Sequence, residues 1–339
     1  MRTSRRPESV TMTDADPGSA ATALPAAPDL PASPALPASP ALLASPAQHA
    51  SPALPASPAL PASLRVERAT IGYEHKTISE DLSVTIPDGS FTVIVGPNAC
   101  GKSTLLRALS RLLKPAAGQV LLDGKSISTY RAKEVARRLG LLPQTSLAPD
   151  GITVADLIAR GRYPHQGIIR QWTDRDEQAV LGAMAATGVT ELSGRLVDEL
   201  SGGQRQRVWV AMVLAQETPL LLLDEPTTFL DIAHQIELLE LFTDLHLAGN
   251  TLVAVLHDLN QAARYGTHLI AMKDGRIVAE GPPEAVVTEE IVSEVFGLAC
   301  RVVPDPVAGT PTVVPLGRDR SAGGRGAVDR GAVDRTSAS

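Results

Sequence analysis

The chain has 339 residues, a formal net charge of −6 and two cysteines. Its acidic balance argues against nucleic acid as the main partner, and Cys100 and Cys300 alone supply neither a disulfide framework nor a cysteine-built zinc site. No apolar run approaches the roughly 18 residues a membrane span requires, so any membrane role needs partner subunits.

Residues 1–63 hold 13 of the 27 prolines, mostly in a six-residue theme such as PALPAS. Proline at every third position removes backbone donors and blocks helix, so this stretch is expected to be a disordered Pro/Ala/Ser-rich extension. The same prolines interrupt any signal-peptide core behind Arg2, Arg5 and Arg6, and nothing before Leu64 is needed for a fold. At the other end, 306–339 carries the direct repeat GAVDR-GAVDR (Gly326 to Arg335) among Gly, Ser and Arg, and is expected to be a disordered tail. What remains, 64–305, is long enough for one α/β domain with a sizeable core.

Leu64 to Tyr73 alternates as an antiparallel strand does and ends at an aromatic whose ring is placed to stack on an adenine. Ser83 to Ile86 and Phe91 to Val95 give two more strands across the Pro87-Asp88-Gly89 turn. Gly96-x-x-x-x-Gly101-Lys102-Ser103 follows, between a short apolar strand and the start of a helix. That is the spacing and setting of a phosphate-binding loop: glycines let the backbone curl its N–H groups inward, and the helix start adds a positive dipole end. Lys102 is placed to reach the β- and γ-phosphates, and the Ser103 hydroxyl to hold the bridging Mg²⁺. Cys100, beside Lys102 at a helix N-terminus, is in the setting that lowers a thiol pKa.

Gln119 to Leu122 with the Asp123-Gly124 turn predicts a hairpin edge, Tyr130 to Arg138 a helix, and Leu139 to Leu142 a strand followed by Pro143 and Gln144. The pattern then turns helical, predicting an inserted α-helical subdomain over about 145–215, with helices at Asp174 to Gly188 and Gln204 to Leu214. Leu220 to Leu223 opens onto Asp224-Glu225-Pro226, and a leucine run without alternation is what a parallel strand covered on both faces requires. Ile232 to His246 reads as a helix, Thr251 to Leu256 as a second buried strand with His257 at its edge, His268 to Ala279 as a hairpin, and Pro283 to Phe296 as a closing helix.

The carboxylates after the leucine run fall at the C-terminal edge of the sheet, where open α/β sheets bind ligands. Asp224 is suited to orient Mg²⁺ directly or through water, and Glu225, expected on the opposite side of the backbone, to polarise the attacking water as general base. In Leu200-Ser201-Gly202-Gly203-Gln204, small residues precede a second helix, making another anion-binding N-terminus. Two phosphate-binding helix starts with one lysine loop are reconciled by a head-to-tail dimer. Each nucleotide then lies between the Gly96 loop of one subunit and Ser201 to Gly203 of the other.

With these motifs in order, the core resembles the ATP-binding cassette (ABC) ATPase family over its whole length. The matching residues are Gly96, Pro97, Asn98, Ala99, Cys100, Gly101, Lys102, Ser103 and Thr104 (Walker A), Gln144 (Q-loop), Leu200 to Gln204 (signature), Leu220 to Glu225 (Walker B), Leu230-Asp231 (D-loop) and His257 (H-loop). The resemblance implies a P-loop NTPase core, a mixed sheet with an antiparallel β layer, plus the helical subdomain. It further implies that Gln144 senses Mg²⁺ and the membrane partner, Asp231 links the two sites of the dimer, and His257 contacts the γ-phosphate.

GRYPHQ at Gly161 to Gln166, TTFLDI at Thr227 to Ile232 and HDLNQA at His257 to Ala262 are similar to ATPases that drive import of ferric siderophores, haem or cobalamin. Ala99 departs from a commoner glycine and Phe229 from a commoner tyrosine; neither removes a ligand. The implied assembly is two identical ATPase subunits on the cytoplasmic face of the membrane, bound to a permease and served by a substrate-binding lipoprotein. An exporter ATPase shares the cassette, but GRYPHQ lies in the region that would touch the permease and counts against it. A chromosome-type ATPase would carry a long coiled coil between Gly96 and Ser201, where no sustained heptads occur.

Overall fold

The computed structural model describes residues 63–73, 76–144, 148–167 and 172–317; the proline-rich extension up to residue 62 and the repeat after 317 lie outside the described residues. Strand β1 (Leu64–Tyr73) pairs antiparallel with β2 (Lys76–Ile86), and the chain then crosses into a second sheet as β3 (Phe91–Val95). After helix α1 (Lys102–Leu109) it returns to the first sheet as β4 (Ala117–Leu122), on the other side of β1, and the two-residue β5 (Lys125–Ser126). Helix α2 (Ala132–Ala136) leads to β6 (Leu139–Leu142). Between it and β7 (Leu220–Asp224) lie α3 (Val154–Ala159), a 3-10 segment Arg160–His165, α4 (Asp174–Ala186) and α5 (Gly202–Ala215). The rest runs α6 (Ile232–Leu247), β8 (Thr251–Val255), α7 (Leu259–Tyr265), β9 (His268–Lys273), β10 (Arg276–Gly281), α8 (Pro283–Val286), α9 (Glu289–Phe296), β11 (Cys300–Pro304) and β12 (Pro311–Pro315).

The second sheet has the order β10-β9-β3-β8-β7-β6, parallel throughout except for the antiparallel edge strand β10. Every residue of β3, β7 and β8 is buried, because both faces of these strands are covered. The period of two divides each run between two cores. Leu221 and Leu223 of β7, with Leu252 and Ala254 of β8, face the helical side; Leu220 and Leu222, with Val253 and Val255, face α1 and the antiparallel layer. Asp224 continues the second series and so arrives at the sheet edge on the side of α1.

Several expectations need correction. The helix expected from Tyr130 to Arg138 is only Ala132–Ala136, since the Tyr130 hydroxyl donates to the Leu122 carbonyl at 2.9 Å and is committed to the β4 edge. The closing helix is two helices, broken at Val287, with Thr288 capping α9 through a hydrogen bond from the Ile291 N–H. The tail expected from 306 is ordered through its first part: Pro311–Pro315 pairs with Cys300–Pro304 as β12 on β11. The Asn260 amide then locks β12 onto α7, accepting from Val313 N at 2.8 Å and donating to Val313 O at 3.3 Å. A pairing made by contacts with a helix 53 residues away leaves no local signal in composition.

Candidate active site

The loop after β3 is shaped by its glycines. Gly96 sits at φ 153°, and a Cβ there would stand 2.2 Å from the Met272 carbonyl oxygen; Gly101, at φ 110°, begins α1 without a side-chain cap. Ala99 takes a left-handed φ of 61°, a conformation costing a non-glycine residue on the order of 1 kcal/mol. Lys102 is buried and its Nζ donates to the carbonyls of Gly96 and Pro97, both at 2.8 Å, so the ammonium is held inside the curl of its own loop.

Strand order brings the remaining groups to the same edge. Because β3, β8 and β7 are neighbours, the loop after β3, His257 after β8 and Asp224-Glu225 at the end of β7 converge. Ser103 Oγ donates to Asp224 Oδ1 at 2.9 Å, bringing together two hard oxygen atoms of the kind Mg²⁺ prefers. Burial pushes the Asp224 carboxyl above its ordinary value; the Ser103 hydroxyl opposes the rise and the charge of Glu225 adds to it. Glu225 leaves the strand at φ 53°, which turns its side chain toward His257, whose Nε2 lies 2.7 Å from Glu225 Oε1. Thr228 Oγ1 reaches Glu225 Oε2 at 3.4 Å.

A cavity of about 500 Å³ is lined by Asn98, Ala99, Gly101, Lys102, Ser103, Thr104, Gln144, Glu225 and His257, together with Lys76 and Ile78 from β2. Lys76 and Ile78 were not singled out by sequence reasoning, because a cation and an aliphatic near a strand start carry no spacing signal. Tyr73, half exposed with its hydroxyl accepting from Arg107 Nη1 at 2.8 Å, lines a neighbouring hollow of about 800 Å³ with Thr70, Gly72, Thr77 and Lys114; Lys76 borders both hollows.

Other expected site residues lie away from this cavity. Ser201 caps α5 in a reciprocal box with Gln204, Ser201 N to Gln204 Oε1 at 3.1 Å and Gln204 N to Ser201 Oγ at 3.3 Å. Gly202 and Gly203 lie against Phe229 and Leu230, where added Cβ atoms would come within 3.4 and 3.3 Å. Asp231 caps α6, and hydrogen bonds from the backbone and ring of His234 hold its carboxyl below the ordinary range. The expectation for Cys100 is overturned: the thiol is buried, and burial pushes its pKa up against the opposing pull of Lys102.

A sequence profile of the ABC transporter family matches residues 79–228. The chain is similar to the ferric enterobactin transport ATP-binding protein of Escherichia coli (strain K12), 61% identical over 256 residues that cover 75% of this chain and 94% of that one. It is 52% identical over 259 residues to the probable siderophore transport system ATP-binding protein of Bacillus subtilis (strain 168), covering 76% of this chain and 94% of that one. Among solved structures, a metal-chelate type ABC transporter in an inward-facing conformation superposes with a TM-score of 0.65 at 28% identity, covering 76% of this chain and 98% of that chain.

Proposed function

The chain belongs to the ABC transporter family, and from that membership we propose that it is the ATP-hydrolysing subunit of an importer for ferric siderophores. The observation that carries the substrate class is the 61% identity with the ferric enterobactin ATPase, sustained over 94% of that protein's length. The chemistry rests on the convergence of Lys102, Ser103, Gln144, Asp224, Glu225 and His257 at one sheet edge.

In this reading Lys102 exchanges the carbonyls of Gly96 and Pro97 for the β- and γ-phosphate oxygens, and the uncapped start of α1 receives the same phosphates. Ser103, Asp224 and Gln144 form an oxygen donor set suited to Mg²⁺, which when bound neutralises charge building on the phosphates. Glu225 takes the proton of the attacking water, and His257, now against Glu225 Oε1, turns to a γ-phosphate oxygen and frees that carboxylate oxygen. Water adds to the γ-phosphorus, the bond to the β-phosphate oxygen breaks, and ADP and phosphate leave. Tyr73 stacks on the adenine at the edge of its hollow.

As a family member the chain works in a dimeric ATPase with a membrane permease. Among the described residues no helix is long and apolar enough to cross a membrane. We assign the dimer to two head-to-tail copies of this chain on the cytoplasmic face, with Ser201 to Gln204 of each closing on the other's ATP and Asp231 joining the two sites. The permease docks on the region from Gln144 to about Arg170, of which 145–147 and 168–170 lie outside the described residues, and a substrate-binding lipoprotein delivers the chelate. Deleting the gene should slow growth under iron limitation and abolish uptake of at least one iron-loaded siderophore. Normal uptake of every ferric chelate alongside lost cobalamin or haem uptake would move the protein to that substrate class, and lost drug efflux would overturn the import reading.

A further inference from the structure

The largest fully buried side chain in the described structure is a charged one, Arg162, in the Gly161 to Gln166 stretch. Its Nε donates to Asp176 Oδ1 at 2.9 Å, at the start of α4, and its Nη1 to the carbonyl of Ala215, the last residue of α5, at 2.7 Å. Nη1 also reaches Glu217 Oε2 at 2.8 Å, on the connection into β7. Gly161 lets this segment close directly on α5: a Cβ there would stand 2.2 Å from the Met212 carbonyl oxygen. Tyr163, which follows Arg162, is 63% exposed with the Lys133 ammonium 4.7 Å from its ring, so one short segment grips the end of a helix on one side and carries an exposed aromatic on the other.

Helix α5 has 14 residues and is therefore roughly 21 Å long. Its exposed start is the Ser201 to Gln204 cap and its far end is the carbonyl that Arg162 holds. Apolar side chains packed on a helix end can slide, whereas a guanidinium shared among a backbone carbonyl and two carboxylates has a fixed fork geometry and resists shear. A charge costs free energy to bury, so the cluster is a poor choice if its only task is to fill space.

We infer that Arg162 is a positioning residue that makes α5 a push-rod: movement of the α5 start, when it closes on nucleotide phosphate, is carried through the Ala215 carbonyl to the outward surface around Tyr163. This rests on the head-to-tail arrangement proposed above, and it adds to the contact through Gln144 a second route from ATP to the docking surface.

The test compares amide hydrogen exchange at residues 161–166, with and without Mg-ATP, in full-length Glu225→Gln protein and in Glu225→Gln combined with Arg162→Lys. Lysine keeps the charge but replaces the planar fork with a single ammonium, which cannot reproduce that geometry. The expected result is an ATP-dependent change of about fivefold or more at 161–166 in the first protein, reduced to under about twofold in the second, with ATP affinity within about twofold. Should Arg162→Lys fail to fold, Arg162→Gln, which also lacks the guanidinium fork, takes its place with the same expected loss. A response retained in the variant overturns the inference, as does the absence of a response in the parent protein. A loss of ATP binding together with the response would make Arg162 a fold element only, and also overturns it. Ferric siderophore uptake by the unsubstituted importer is scored separately: its absence overturns the import reading, while the exchange comparison, which uses no permease, still decides the role of Arg162.

Discussion

His257 Nε2 lies 2.7 Å from Oε1 of Glu225, and the Glu225 backbone reaches that position only by adopting a φ of 53°. A left-handed glutamate at the end of a buried strand is an outlier of order 1–3 kcal/mol that the surrounding sheet must hold in place. The consequence is a paired carboxylate and histidine, 32 residues apart in sequence, aimed into the same cavity as Lys102 and Ser103.

Glu225→Gln preserves the shape and hydrogen-bonding reach of the side chain but removes the proposed base. Single-turnover hydrolysis is expected to slow by roughly 10²-fold or more while equilibrium ATP binding stays within a few-fold of the parent. Turnover near that of the unsubstituted protein would assign the base elsewhere.

For Asp224 the sign of the pH effect is set by burial. Its folded pKa is raised above the ordinary 3.8, so the stability it contributes is full below that value and is lost as pH rises through the raised one. At neutral pH Asp224→Asn therefore relieves a buried charge while keeping an acceptor for Ser103. Melting without nucleotide or metal is expected to rise by about 2–4 °C for each kcal/mol recovered, and Mg²⁺-dependent hydrolysis to be lost. A variant that melts lower would refute the assigned penalty.

The buried, raised thiol of Cys100 predicts resistance to alkylation. In a Cys300→Ser background, maleimide labelling of the folded protein at neutral pH should run tenfold or more slower, to order of magnitude, than in the urea-unfolded chain. Comparable rates in both would restore the activated thiol that the loop sequence suggests.

Asn260→Ala deletes both hydrogen bonds to Val313 and leaves a partly buried backbone pair to find other partners. The expected cost is about 1–3 kcal/mol in urea unfolding, and truncation after Asp305, which removes β12, should cost at least as much. Unchanged unfolding midpoints in both would show that the hairpin adds nothing to α7.

The glycine loop from Gly96 to Ser103, the leucine strand with its two carboxylates, the Ser201 helix cap and the order of the elements are legible in the residues alone, because each is a local spacing whose chemistry follows from residue type. The bounds of β6 agree with the sequence reading, while β2 begins seven residues earlier than expected, since its first half, with its bulges, lacks clean alternation. The pairings across the chain emerge only once it is folded: Ser103 with Asp224, Glu225 with His257, Arg162 with Ala215 and Glu217, Asn260 with Val313. These depend on the strand order β10-β9-β3-β8-β7-β6 and on which helix end meets which loop, and no periodicity along the chain encodes either. Cys100 belongs to the same class, for its ionisation is set by desolvation. Desolvation comes from the packing of α1 under the antiparallel layer, which strand order created and local sequence could not specify.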